Sequence, residues 1–180
     1  MSFSNEDLDI LQEHVHRVEL QKGELLLTAE ETVNYQYYVQ SGCLRTYFID
    51  QSGKEYTLQF AIHDWWISDY TAFFSASKSL MHIECLQDAE LYRISKSSME
   101  QLFLEVPRLE SFFRRKMERA FASFQKRILA GLSLPAKERY LAFIKAYPNI
   151  EQSVKNYHIA SYLGITTESL SRIRKEVSTF

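Results

Sequence analysis

The sequence predicts an α+β chain: an antiparallel β-roll of the double-stranded β-helix or jelly-roll-like kind, a long helix, and a terminal pair of short helices. Three observations predict it. Between Val18 and Ser95 short β-rich runs alternate with turn residues. After Ser95 the apolar period lengthens from two to between three and four. Residues 156–175 then place a small residue, a glycine and aliphatic side chains at the spacing two crossing helices need.

Residues 5–16 form the first expected helix, with Asn5 as N-cap and Leu8, Leu11 and Val15 at helical spacing. Strands are expected at 25–29, 35–40, 43–49, 56–62, 82–86 and 89–94. Lys22-Gly23-Glu24, Ser41-Gly42, Asp50-Gln51-Ser52-Gly53 and His63-Asp64 supply turns between them. Many short strands at regular spacing suit a sandwich or barrel. Residues 70–80 interrupt this order and accommodate one helical turn. Ser98 to Leu104 reads as a short helix, and Pro107 suits the first turn of the next. Leu109, Phe113, Met117, Ala120, Phe124 and Ile128 follow at steps of three and four, giving a helix over 107–132, roughly 38 Å long. Phe112 and Phe121 fall off that stripe, so the apolar surface exceeds one packing face and the helix is expected to dimerise. The domain boundary is placed after residue 132. Residues 1–132 make the sensor and dimerisation unit, and 133–180 the terminal unit, opened by a helix from Pro135 to Ala146.

Apolar residues make up 46% of the 180 and charged residues 24%, as in folded soluble chains. Formal net charge is −2, so contact with a polyanion must come from a local patch. No run approaches the roughly 18 apolar residues of a membrane span, and the acidic start is unlike a signal peptide. The expectation is a cytoplasmic protein without a membrane partner. Cys43 and Cys85, the only cysteines, have no metal-ligand spacing and are expected as reduced, buried thiols. His14-Val15-His16 would put the His-x-His of a cupin-type metalloenzyme in a helix, not on barrel strands, and His63 and His82 stand alone. No catalytic centre, metal or cofactor is expected.

In NYHIASYLGITTESLSRIRK, residues 156–175, Ala160 provides the small residue where the helices touch, and Gly164 permits the positive φ that a tight turn favours. Ile159, Leu163, Ile165, Leu170 and Ile173 supply a shared core, and Thr166 or Thr167 caps the second helix. This pattern is a helix-turn-helix, whose expected partner is double-stranded DNA. Glu168, Arg172 and Lys175 lie opposite Leu170, Ile173 and Val177. Arginine bonds bidentately to guanine, and glutamate accepts from cytosine N4. Thr166, Ser169 and Ser171 suit phosphate contact. Over 155–177, Lys155, Arg172, Arg174 and Lys175 outnumber Glu168 and Glu176, a local charge of +2.

The order of β-rich domain, long helix and helix-turn-helix resembles the Crp/Fnr family of regulators. So do the segments Lys22-Gly23-Glu24-Leu25-Leu26, Tyr38-Val39-Gln40-Ser41-Gly42, Asp50-Gln51-Ser52-Gly53-Lys54-Glu55 and, more specifically, Leu163 to Lys175. The resemblance implies a cyclic-nucleotide-binding-like domain, a homodimer, a pseudo-palindromic operator, and RNA polymerase as a further candidate partner. It places Glu168 and Arg172 at base-reading positions, Thr167 just before them, and Thr166 and Ser169 at phosphate positions. Cyclic-AMP-binding members carry Gly-Glu and, further along, Arg followed by Ser or Thr. Here Ser68-Asp69 stands for the first pair, no arginine lies between Arg45 and Arg93, and Lys78 is the only cation of 65–80. A desolvated phosphate needs a paired cation, so cyclic AMP is not expected to bind in the usual mode. Ser68, Asp69, Tyr70, Lys78 and Ser79 are the candidate contacts for another small-molecule effector. The alternative reading is a ligand-binding roll without gene-regulatory activity.

Overall fold

Ser4, rather than Asn5, caps the first helix, α1 (Asn5–His14). Its hydroxyl accepts the Asp7 N–H at 3.2 Å while the Asp7 carboxylate accepts the Ser4 N–H at 2.6 Å, so two otherwise orphaned donors are satisfied reciprocally. The computed structural model describes residues 3–148, 150–152 and 154–178. Over these the chain is α+β, with a roll, a long helix and a terminal helical head.

Strands β1 (His16–Leu20), β2 (Leu25–Leu27), β3 (Tyr35–Ile49), β4 (Glu55–Ala61), β5 (Trp66–Ile67) and β6 (His82–Ser95) build the roll. The antiparallel order is β1-β6-β3-β4, with β2 also on β6 and β5 on β3. β3 and β6 pair from Tyr35↔Ser95 to Tyr47↔His82, with register shifts between Val39 and Leu44. Bulges bend a strand and raise its twist, so these two strands pass from one end of the roll to the other without breaking. The expected turn at Ser41-Gly42 is therefore an irregularity inside one strand, and 82–86 and 89–94 are likewise continuous. Gly42 has φ 91°, and a Cβ there would meet the Asp88 carbonyl oxygen at 2.5 Å. Glycine serves a close approach of two backbones at this point. Val39, Leu44, Ile67, Ile83 and Leu91 fill the interior completely buried, each worth roughly 1.5–3 kcal/mol.

Helix α2 (Tyr70–Ser75) interrupts the roll where one turn was expected. Helices α3 (Lys96–Glu105) and α4 (Pro107–Ser133) then close it. Leu109 and Phe113 of α4 pack with Ile94, Leu102 and Val106. Beyond Met117 the helix leaves that core: Phe121, Ile128, Leu129 and Leu132 are 65, 59, 62 and 81% exposed. The head comprises α5 (Ala136–Ala146), a 3-10 turn (Ile150–Gln152), α6 (Asn156–Leu163) and α7 (Thr167–Ser178).

The head sits on the roll. Cys43 and Phe60 share a core with Tyr140, Phe143, Tyr147, Ile159 and Leu170. The Ser161 hydroxyl accepts the Thr57 N–H at 2.8 Å and donates to the Glu55 carbonyl at 2.9 Å. Arg127 of α4 donates to the Leu58, Thr57 and Tyr162 carbonyls and lies over the Tyr162 ring, 4.2 Å from its centre. No helix among the described residues is long and apolar enough to cross a membrane.

Candidate nucleic-acid interface

The chain reverses from α6 into α7 within three residues. Gly164 takes φ 66° and ψ 38°, which side-chain-bearing residues adopt only with strain. Its N–H returns to the Ser161 carbonyl at 3.2 Å and the Ile165 N–H to Ala160 at 3.0 Å, satisfying the last carbonyls of α6. Thr166 caps α7 by accepting the Ser169 N–H at 3.2 Å. The Thr167 hydroxyl instead donates to the Glu168 carboxylate, also at 3.2 Å. Ile159, Ala160, Leu163, Leu170 and Ile173 are buried together, with Ile165 and Val177 packed at the edge.

That burial leaves one side of α7 in solvent. Glu168, Ser171, Arg172 and Lys175 are exposed on it, as is Thr166 at its start. The Ser171 hydroxyl donates to the Thr167 carbonyl at 3.0 Å, and that of Ser169 lies 3.2 Å from the Thr166 hydroxyl. Hydrogen bonds from its own backbone N–H and from the Thr166 and Thr167 hydroxyls hold the Glu168 carboxyl below its usual range. It therefore presents only acceptors at neutral pH. All seven candidate DNA contacts thus belong to α7 or its cap. Arg174, counted in the local charge, turns the other way: its Nε lies 2.9 Å from Glu151 Oε1 and its Nη1 2.5 Å from Asn156 Oδ1. Its place one turn after Leu170, at the flank of the buried stripe, is the signal that foretells this.

Residues 17–105 match the family model for the cyclic nucleotide-binding domain. The chain is 27% identical over 187 aligned positions to the anaerobic regulatory protein of Haemophilus influenzae, a match covering 96% of this chain and 71% of that one. The c-di-GMP responsive global regulator CLP of Xanthomonas campestris superposes with a TM-score of 0.76 at 15% identity, covering 98% of this chain and 92% of the other. A crp/fnr-family transcriptional regulator of Eubacterium rectale superposes at 0.72 with 17% identity, covering 98% and 84%. Residues 17–105 are a cyclic nucleotide-binding domain, and the chain as a whole has the Crp/Fnr fold.

With this fold, the polar residues of 68–79 are engaged within the protein. Asp69 caps α2 by accepting the Ala72 N–H at 3.1 Å. Its other oxygen accepts the Ser79 hydroxyl at 3.0 Å and the Leu80 N–H at 3.1 Å. The Ser68 hydroxyl donates to the Tyr35 carbonyl at 2.9 Å, and the Lys78 ammonium to the Thr32 hydroxyl at 3.2 Å. Ser68, Asp69 and Ser79 are buried. The expectation grouped all five candidate contacts in one ligand site; Ser68, Asp69, Lys78 and Ser79 instead make bonds within the protein. A polar group that folding already satisfies has little left to offer a ligand.

Tyr70 lies elsewhere. With Trp65, Trp66, Phe124, Tyr147 and Tyr162 it lines a cavity of about 250 Å³ between roll, α4 and head. Its hydroxyl and the Trp66 Nε1 have no partner among the described residues, and burial pushes the Tyr70 pKa well up. Lys116 pairs with Asp64 at the rim. Phe124, Tyr147 and Tyr162 come from three separate helical regions, which sequence spacing does not link. Burial also pushes the Cys43 and Cys85 thiols up, to about 12 and about 11, which disfavours their thiolates. No cluster of His, Cys, Asp and Glu among the described residues is placed to hold a metal ion.

Proposed function

We propose that the chain is a homodimeric, sequence-specific DNA-binding transcription regulator of the cytoplasm. The observation that carries this is the outer face of α7. Glu168, Arg172 and Lys175 stand exposed on one side of a helix whose opposite side is buried, beyond a tight turn that fixes its crossing. Arg172 reads a base edge, Glu168 accepts from a neighbouring base, Lys175 reaches phosphate, and Thr166, Thr167, Ser169 and Ser171 fix the register.

A second copy accounts for the exposed Phe121, Ile128, Leu129 and Leu132 of α4, since contiguous apolar surface on a helix marks a partner. A two-fold dimer presents two α7 helices to two half-sites. The aromatic cavity takes a small effector other than cyclic AMP. A ligand there touches roll, α4 and head together and so biases how the head sits. Selection of bound sequences from random DNA tests the reading. It should return a pseudo-palindrome with half-site centres about 34 Å apart, and light scattering should give about 42 kDa, twice the 21.2 kDa chain. No enriched sequence would end the DNA reading, and a monomer mass would end the dimer.

A further inference from the structure

Resting on the reading of α7 as a recognition helix, we propose that Arg174 is a positioning residue. Through Glu151, Asn156 and Tyr140 it sets the rotation of α7 about its own axis, and thereby which bases Arg172 and Glu168 reach.

Four side chains from four elements meet at this point. Arg174 of α7 places Nε 2.9 Å and Nη2 2.7 Å from Oε1 of Glu151 in the 3-10 turn. The same oxygen accepts the Tyr140 hydroxyl of α5 at 2.7 Å. Asn156, the first residue of α6, accepts Arg174 Nη1 at 2.5 Å. Tyr140 is buried, while Glu151 and Arg174 are about one quarter to one third exposed. The guanidinium is therefore hydrogen-bonded through Nε and Nη1, and its charge is met by a carboxylate on the protein side of the helix.

The apolar contacts of α7 do not fix its rotation by themselves. Leu170 and Ile173 rest in an apolar core, and hydrophobic contact is not directional. Hydrogen bonds do, weakening steeply as the angle opens. A side chain stands about 5–6 Å from its helix axis, so a roll of roughly 20° moves its end by about 2 Å. Bidentate contact with a guanine edge tolerates far less than that. The Arg174 network lies in the same helical turn as Arg172 and Lys175, where a directional restraint acts most directly on the reading face.

The test compares specific and non-specific DNA binding by the full-length protein across a salt series. The DNA is an operator selected with the wild type and a scrambled duplex. Expected are a roughly tenfold fall in the specific-to-non-specific ratio for Arg174→Gln, a smaller one for Glu151→Gln, and partial rescue in Arg174→Lys. The double variant should be no worse than Arg174→Gln, because both changes break one link. The salt slope should stay that of wild type. Glu151→Gln can still accept the Tyr140 hydroxyl, and its melting temperature and circular dichroism separate mispositioning from misfolding. The proposal is overturned if Arg174→Gln lowers the slope by about one per subunit and weakens both duplexes alike, the behaviour of a phosphate contact. It is also overturned if Glu151→Gln strengthens both by freeing a cation. A wild type with no sequence preference removes the reading head itself, a different failure seen before any variant is made.

Discussion

Two polar stretches met the same reading from sequence, 68–79 as a ligand site and 166–175 as a DNA site, and folding treats them in opposite ways. Asp69 is 1% exposed and Ser79 wholly buried, and the carboxylate joins the start of α2 to the turn before β6. Glu168, Arg172 and Lys175 stay in solvent while the hydroxyls around them cap and trim α7. The difference lies in the backbone each stretch must satisfy. A helix pairs its own amides and carbonyls and releases its outer side chains. An irregular segment between strands has to recruit side chains to satisfy its backbone.

Roll and head differ in the same sense at two glycines, both at positive φ. A Cβ at Gly42 meets backbone at 2.5 Å, whereas one at Gly164 meets nothing within 4 Å. Gly42→Ala should cost about 3–4 kcal/mol from overpacking plus strain, and Gly164→Ala only about 1 kcal/mol. Denaturant titration decides, and equal losses would erase the difference between the two glycines. Next, Asp69→Ala should cost about 2–3 kcal/mol of stability by stranding the Ala72 and Leu80 N–H donors. If the melting temperature holds, Asp69 is free for a ligand after all. Arg172→Ala should leave stability unchanged but weaken operator binding by about 1–3 kcal/mol and relax one symmetric position. Unchanged affinity and preference in a folded dimer would move the reading surface off this helix.

A pH-dependent effect sits where roll and head meet. His158 of α6 is buried, and desolvation, then Arg45 and Lys155, lower its pKa from 6.5 to about 4. Arg45 is itself paired with Glu55 and Glu84. Because the folded state favours neutral imidazole, its contribution is complete above pH 6.5 and is lost as pH falls toward 4, by at most about 1.4 kcal/mol per unit. Unfolding at pH 7, 5.5 and 4.5 should show this slope, and His158→Gln should flatten it.

The head was legible because its pattern is local. Ala160, Gly164 and Leu170 lie within eleven positions, and each answers to helical geometry alone. The roll was legible as a class but not in its strands. Gly42 reads as a turn until Asp88 is known to cross beside it, and that contact spans 46 residues. Ser4 lost to Asn5 because both are good caps, and only the reciprocal bond with Asp7 distinguishes them. Helix α4 was correct in extent, yet Ile128 of the expected stripe is exposed and Leu109 buried, because the apolar core takes in only its first turns. The bonds of Arg127 and Ser161 to the edge of the roll join distant segments, and no spacing announces them.

The bare second half of α4 also makes chain number a variable. If a partner copy covers Phe121, Ile128, Leu129 and Leu132, the species competent for a two-fold operator is set by mass action. Well below the dimer dissociation constant its amount rises with the square of total chain, so halving the cell's supply removes three quarters of it. Dilution by growth without new synthesis would then quiet the protein without any effector.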